Sequence, residues 1–263
     1  MSDVEWGSLM DALLRVESLG PDDCGLLSFA GSSGGIFVER GRICWVAARG
    51  LQQRLSDLLR THSSVDSMTL DRIYQRCRSE GTLLGQTLVA EGLLQPVELE
   101  RALRHHSAEC LVALCRASQA TIWASHPGRG YAPRFTFRPV DLLFDSVALV
   151  YPNLRFEALE ELSAYSGPGR HAVAFVLDAE IRALLPLAET SESSVESVST
   201  LARSLLSIPR ASHELGMTPA FTLSTTASGD ALLVWWRKQV LYAMACEDRA
   251  SLIAATSQHL ACA

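Results

Sequence analysis

Apolar positions near the start of the chain recur at helical spacing. Leu9, Leu13 and Val16 fall four and three residues apart within 8–19 and predict a short amphipathic helix, stopped by Gly20-Pro21. GGIFVE and RICWVAA then flank Arg40-Gly41, a two-residue turn that predicts a β-hairpin. Leu51, Leu55, Leu58 and Leu59 predict a helix over 51–60, and Ser63 to Ser67 is a polar break. From Leu70 to Arg116 the pattern is helical, with Gly92 separating two helices and Pro96 suited to the first turn of the second. RFTFR (134–138) alternates and predicts a strand with Phe135 and Phe137 on one face.

The pattern changes near Pro152, where a domain boundary is placed: 1–150, with a helical insert at about 63–116, then 151–263. Residues 154–165 read as a helix broken by Gly167-Pro168-Gly169. HAVAFVLD is a strand, and RALLPLAE is its hairpin partner, with Pro186 making it an edge. Ser193 and Glu196 form a capping box. It opens a helix striped by Val195, Val198, Leu201, Ala202, Leu205 and Leu206. AFTLST, ALLVWW and QVLYAMA follow as strands, turned at Ser228-Gly229-Asp230 and Arg237-Lys238. Asp248 caps a last helix carrying Leu252, Ile253, Thr256 and Leu260. The order α-β-β-α-β-β-β-α predicts an α+β fold whose second domain is one five-stranded antiparallel sheet covered by helices.

Of the 263 residues, 48% are hydrophobic and 20% charged, which excludes a largely disordered chain. The net charge of -6 argues against a nucleic-acid partner held by bulk charge. The basic residues are 22 Arg and one Lys, Lys238, which follows no glycine loop, so the chain is not itself a P-loop ATPase or GTPase. They are unevenly spread: residues 40–138 hold 14 Arg against 8 Asp and Glu. That stretch faces an acidic partner or a phosphate, or is simply a set of solvated helix faces. No apolar run reaches the roughly 18 residues of a spanning helix. The acidic start MSDVEW is unlike a secretory leader, and the seven cysteines are odd in number with no CxxC. A reducing, cytoplasmic setting is expected, with cysteines as buried small hydrophobes.

Gly31-Ser32-Ser33-Gly34-Gly35 matches GxSxG, but a nucleophile elbow leads into a helix and this segment leads into a strand, so Ser33 reads as loop. His105, His106, Cys110 and Cys115 suggest a metal, yet Leu99, Leu103, His106 and Cys110 continue one apolar stripe and two further ligands are missing. Arg129, Tyr131, Arg134, Phe135 and Arg138 mix cations with aromatics. Three readings stay open for them: a grip on phosphate or base, an amphipathic strand with Phe inside, and an arginine finger acting on a partner's nucleotide. Trp235 and Trp236 point to opposite faces of their strand, one toward the core and the other under a helix or at an interface.

Over 154–263 the element order resembles the Roadblock / dynein light-chain family. LEELSAYSGPGRHAVAFVLD looks like its opening helix, turn and first strand, and ALLVWWRKQVLYAMACED like its closing meander. That family's Asp-x-x-Gly turn reads Asp178-Ala179-Glu180-Ile181 here, so a longer or distorted first hairpin is expected. GGIFVERGRICWVAA, and LLGQTLVAEGLLQPVELERALRHH after it, are similar to PATAN-type modules of bacterial signalling proteins and to N-terminal domains of secretion ATPases. Some of the latter bind cyclic di-GMP through an Arg before the LG pair and a closing Gln. Leu83 and His106 stand there in this chain, so a phosphate and a base contact are lost and no cofactor is expected. The resemblances imply a non-enzymatic regulator, with no catalytic residues of its own. It would bind a Ras-like small GTPase or another Roadblock-like protein, as a homo- or hetero-oligomer, and stimulate GTP hydrolysis. The alternative is an adaptor in a response-regulator or secretion pathway that leaves the GTPase rate alone. Arg129, Arg134, Arg138 and Trp236 are the candidate partner-binding residues, and Val198, Leu201 and Leu205 mark the candidate pairing helix.

Overall fold

The computed structural model describes residues 6–29, 34–49, 51, 57–59, 65–115, 121–128, 130–164, 170–178, 183–190, 197–198, 200–201, 222–225, 231–237 and 239–246. The chain is α+β and divides into two compact units, Met1–Leu142 and Leu143–Ala263.

In the first unit, helix α1 (Trp6–Glu17) buries Leu9, Ala12, Leu13 and Val16 completely, which is the expected stripe. Each of its larger side chains contributes on the order of 1.5–3 kcal/mol by leaving water. Strands β1 (Cys24–Phe29), β2 (Gly35–Glu39) and β3 (Arg42–Ala47) follow. The β2–β3 turn has φ of 56° at Arg40 and 68° at Gly41, so both central residues are left-handed and match the twist of the flanking strands. Phe37 faces Trp45 and Val38 faces Ile43, which leaves Cys44 as the extra residue of a bulge. Its thiol donates to the Phe37 carbonyl at 3.2 Å.

The helical block contains three helices, not two: α2 (Ser67–Glu80), α3 (Leu84–Ala90) and α4 (Pro96–Cys115). The unforeseen break is at Gly81, which closes α2 with φ 70° and donates its N–H to the Cys77 carbonyl. Asp66 opens α2 by accepting the Thr69 N–H at 3.0 Å, and those Thr69 hydrogen bonds hold its carboxyl below the usual range. Strand β4 (Thr121–Ser125), which the hydropathy pattern did not reveal, pairs with β1 and gives the sheet order β3-β2-β1-β4. Gly25 makes that pairing feasible. A Cβ there would lie 2.5 Å from the Ala124 carbonyl oxygen and 2.6 Å from the Trp123 ring.

The expected strand at 134–138 is corrected. Pro133–Phe135 is a 3-10 turn, and only Phe137 pairs, as an isolated bridge to Ile43. Pro133 sets the first φ, and the Thr136 N–H and hydroxyl both turn back to the Pro133 carbonyl. Phe135 and Phe137 are nonetheless both buried.

Helix α5 (Pro139–Val150) contains the division between the units, and α6 (Pro152–Ser163) follows it. In the second unit, β5 (Arg170–Asp178), β6 (Ala183–Glu189), β8 (Ala231–Arg237) and β9 (Val240–Cys246) form an antiparallel sheet in the order β6-β5-β9-β8. The four-residue β7 (Thr222–Thr225) pairs on the outer side of β8. Pro186 sits on edge strand β6 as expected, opposite Phe175 where the register shifts, so its missing N–H falls at a bulge. α6 packs against β6 and β5 through Ala158 and Leu162. Its Glu161 pairs with Arg237 at the end of β8. Among the described residues, no helix is long and apolar enough to cross a membrane.

Candidate functional site

Arg134 and Arg138 bracket the 3-10 turn and its bridge in the first unit. Arg134 is exposed, and its Nε donates to Glu100 of α4 at 3.1 Å. Arg138 is half-buried and makes a two-pronged pair with Asp141, at 3.1 and 2.6 Å. Such a fork is geometrically specific and stronger than a single contact. Tyr131 is half-buried in the same segment, and its backbone N–H points to Glu39 at 3.2 Å. The neighbouring Thr136 accepts from Arg42, through Oγ1 at 2.8 Å and its carbonyl at 2.7 Å, so the segment is tied to the β2–β3 hairpin. Arg129 lies outside the described residues. With the Phe pair inward and Arg134 outward, the amphipathic reading of this stretch survives even though the strand does not.

The His-Cys cluster packs as a core stripe. Leu99, Leu103, His106 and Cys110 are all buried along α4. The His106 ring stacks obliquely on Trp45, centroids 5.0 Å apart, and Nε2 lies 3.5 Å from the Cys110 sulfur. Burial pushes the Cys110 thiol up to about 12, so it keeps its proton and is a poor nucleophile. The other ring nitrogen, Nδ1, is buried with no hydrogen-bond partner among the described residues. Burial first, and then the charge of His105, hold His106 below its ordinary pKa. His106 thus turns inward to Trp45. Among the described residues no group of three or more His, Cys, Asp or Glu is placed to hold a metal. Ser33 lies outside the described residues, and the segment after it is strand β2.

In the second unit, Trp235 is the buried member of its pair and stacks on Tyr242 at 5.1 Å. The Trp236 side chain lies outside the described residues, as does Leu205. Val198 is buried and Leu201 half-buried.

Sequence reasoning missed one surface. Phe156 and Leu159, three apart on α6, are 72% and 44% exposed, with Glu157 and Glu160 exposed beside them. The signal was present: α6 carries a second apolar set beyond the stripe of Ala158 and Leu162 that the sheet absorbs. Exposed rings of this size are what protein interfaces use. No protein-family profile, curated protein or solved structure matches the chain.

Proposed function

We propose that the protein is a non-catalytic regulator. Its second unit is a Roadblock-like docking module that binds a Ras-like small GTPase and stimulates its GTP hydrolysis. The observation that carries this reading is the path of the chain after α6. Strands β5 and β6 form a hairpin, the chain later returns as a β7-β8-β9 meander, and β9 lies beside β5. That path supports the sheet the resemblance calls for, with α6 packed on β5 and β6 and Phe156 and Leu159 exposed on it. A partner that orders switch loops accelerates a slow intrinsic hydrolysis without chemistry of its own. The first unit, PATAN-like in its β2–β3 hairpin, supplies a second docking surface in this scheme.

The test is GTP turnover by a Ras-like GTPase recovered with this protein, measured alone and with the protein in excess. Acceleration of at least ten-fold is expected. Unchanged turnover together with no complex by gel filtration sinks the reading. A second reading, an adaptor that binds without changing the rate, is favoured by one observation. Arg134 and Arg138 are each held by a carboxylate, Glu100 and Asp141, so neither is presented as a ready arginine finger. A stable complex with unchanged turnover selects it.

A further inference from the structure

The two edges of the first sheet differ. Beyond β3, Phe137 exchanges backbone hydrogen bonds with Ile43, so that edge is covered. Beyond β4, no strand pairs among the described residues. The His126 N–H donates to the Cys24 carbonyl, and the register continues with Ala124 opposite Leu26 and Ile122 opposite Ser28. Alternation then directs the N–H and C=O groups of Thr121, Trp123 and Ser125 to the open side. Arg15 donates to the Thr121 carbonyl at 2.9 Å, and Pro127 has no N–H to offer, so the open stretch is Trp123 and Ser125. The segment TIWAS carries no charge and no proline, and Ile122, Ala124 and Ser125 are exposed. The Trp123 ring lies over Gly25 of β1, where a Cβ would stand 2.6 Å from it, so the ring is turned inward from the rim. A sheet edge left in this state is a template for another strand.

We propose that β4 is the pairing edge of a homodimer, in which two copies join their first sheets through antiparallel β4 strands with the two-fold axis at Ala124. The occupant is a second copy because the edge is complementary to itself. About that axis Trp123 of each strand faces Ser125 of the other. Both residues turn N–H and C=O outward, so they form a hydrogen-bonded pair. Ala124 faces Ala124 in the closer, non-hydrogen-bonded position, which a methyl group fits. The strand is uncharged, so self-pairing sets no like charges opposite one another. Ile122, 62% exposed, comes opposite His126 and sheds part of its contact with water. One short strand buries less than a standard interface, so a dissociation constant on the order of 100 µM is expected. The pairing belongs to the first unit and stands independently of the GTPase reading.

Sedimentation velocity on the full chain, from about 10 µM to about 1 mM, is expected to show a monomer passing to a dimer. Ala124→Lys sets two like charges against each other on the axis and is expected to weaken the dimer about ten-fold or more, as is Ala124→Glu. An equimolar mixture of these two variants is expected to restore the dimer, because opposite charges then meet. Ser125→Pro removes an outward N–H while leaving the bonds to β1 in place, and is expected to give a monomer. Thermal melts establish that each variant folds, and Ala124 is exposed, so its two variants are expected to melt with the wild type. A monomer at every concentration overturns the proposal. So does a dimer that persists in any folded variant, or a mixture that stays monomeric.

Discussion

Replacing His106 by leucine should remove a specific part of the protein's sensitivity to acid. The imidazole is 4% exposed, its Nδ1 has no hydrogen-bond partner among the described residues, and burial lowers its pKa. The unfolded chain binds a proton at this residue from about pH 6.5 downward, whereas the folded chain does not until its own lower pKa is reached. Unfolding therefore takes up a proton in that window. Stability is unaffected above pH 6.5 and falls as the pH drops below it, until the folded pKa is passed. The limiting slope is about 1.4 kcal/mol per pH unit for one proton. Integrated from pH 6.5 to 5.5, the loss is at most about 1 kcal/mol, the limit for an imidazole that stays neutral in the fold. Urea unfolding followed by circular dichroism at pH 7.5, 6.5 and 5.5 measures it, on wild type and His106→Leu in parallel. Groups common to both proteins cancel in the difference. That difference should be nearly flat from pH 7.5 to 6.5, then move against wild type by up to about 1 kcal/mol by pH 5.5. Parallel curves for the two proteins would show that the buried ring is protonated in the fold, or that it reaches water there, and would refute the argument.

Gly25→Ala should cost about 2–3 kcal/mol in urea melts, because the new methyl collides with the Ala124 backbone carbonyl and the Trp123 ring. Gly81→Ala should cost only about 1 kcal/mol, since a Cβ there meets nothing and the penalty is the left-handed φ alone. Trp235→Ala, which empties a 1%-exposed site beside Tyr242, should cost about 3–5 kcal/mol and be visible as a lowered melting temperature. Phe156→Glu should leave stability within about 0.5 kcal/mol, because the ring is largely in water, yet abolish co-purification of the proposed GTPase partner. A destabilised Phe156→Glu protein, or an intact complex, counts against α6 as the docking face.

The elements legible in the sequence are those whose own residues set their conformation. The β2–β3 hairpin was readable because Arg40-Gly41 is a two-residue turn between apolar runs, and its φ values are those such a turn requires. α1 was readable because its buried residues keep helical spacing. β4 was not. Thr121 and Trp123 are only half-buried while Ile122 is 62% exposed, so an edge strand carries no inward apolar alternation, and its pairing depends on Gly25 about a hundred residues earlier. The break at Gly81 was hidden because one glycine in a helical pattern is ambiguous until its φ is known. At Phe137 the alternation was real but its cause was different. Two backbone hydrogen bonds to Ile43, at 2.9 and 2.8 Å, and the fork of Arg42 on Thr136 pull the segment onto the hairpin, with Pro133 preventing a full strand.

The same distinction separates the two kinds of candidate residue. Arg134, Arg138 and His106 attracted notice by type, and in the fold each is occupied locally: by Glu100, by Asp141, and by Trp45 with Cys110. Phe156 and Leu159 attracted none, because phenylalanine and leucine are unremarkable in any helix. Their interest comes from being in the wrong solvent, two apolar side chains in water. Leaving a large ring in water forgoes burial energy. That exposure is explained if a protein surface covers α6, and Phe156→Glu then removes the proposed complex while leaving the fold intact.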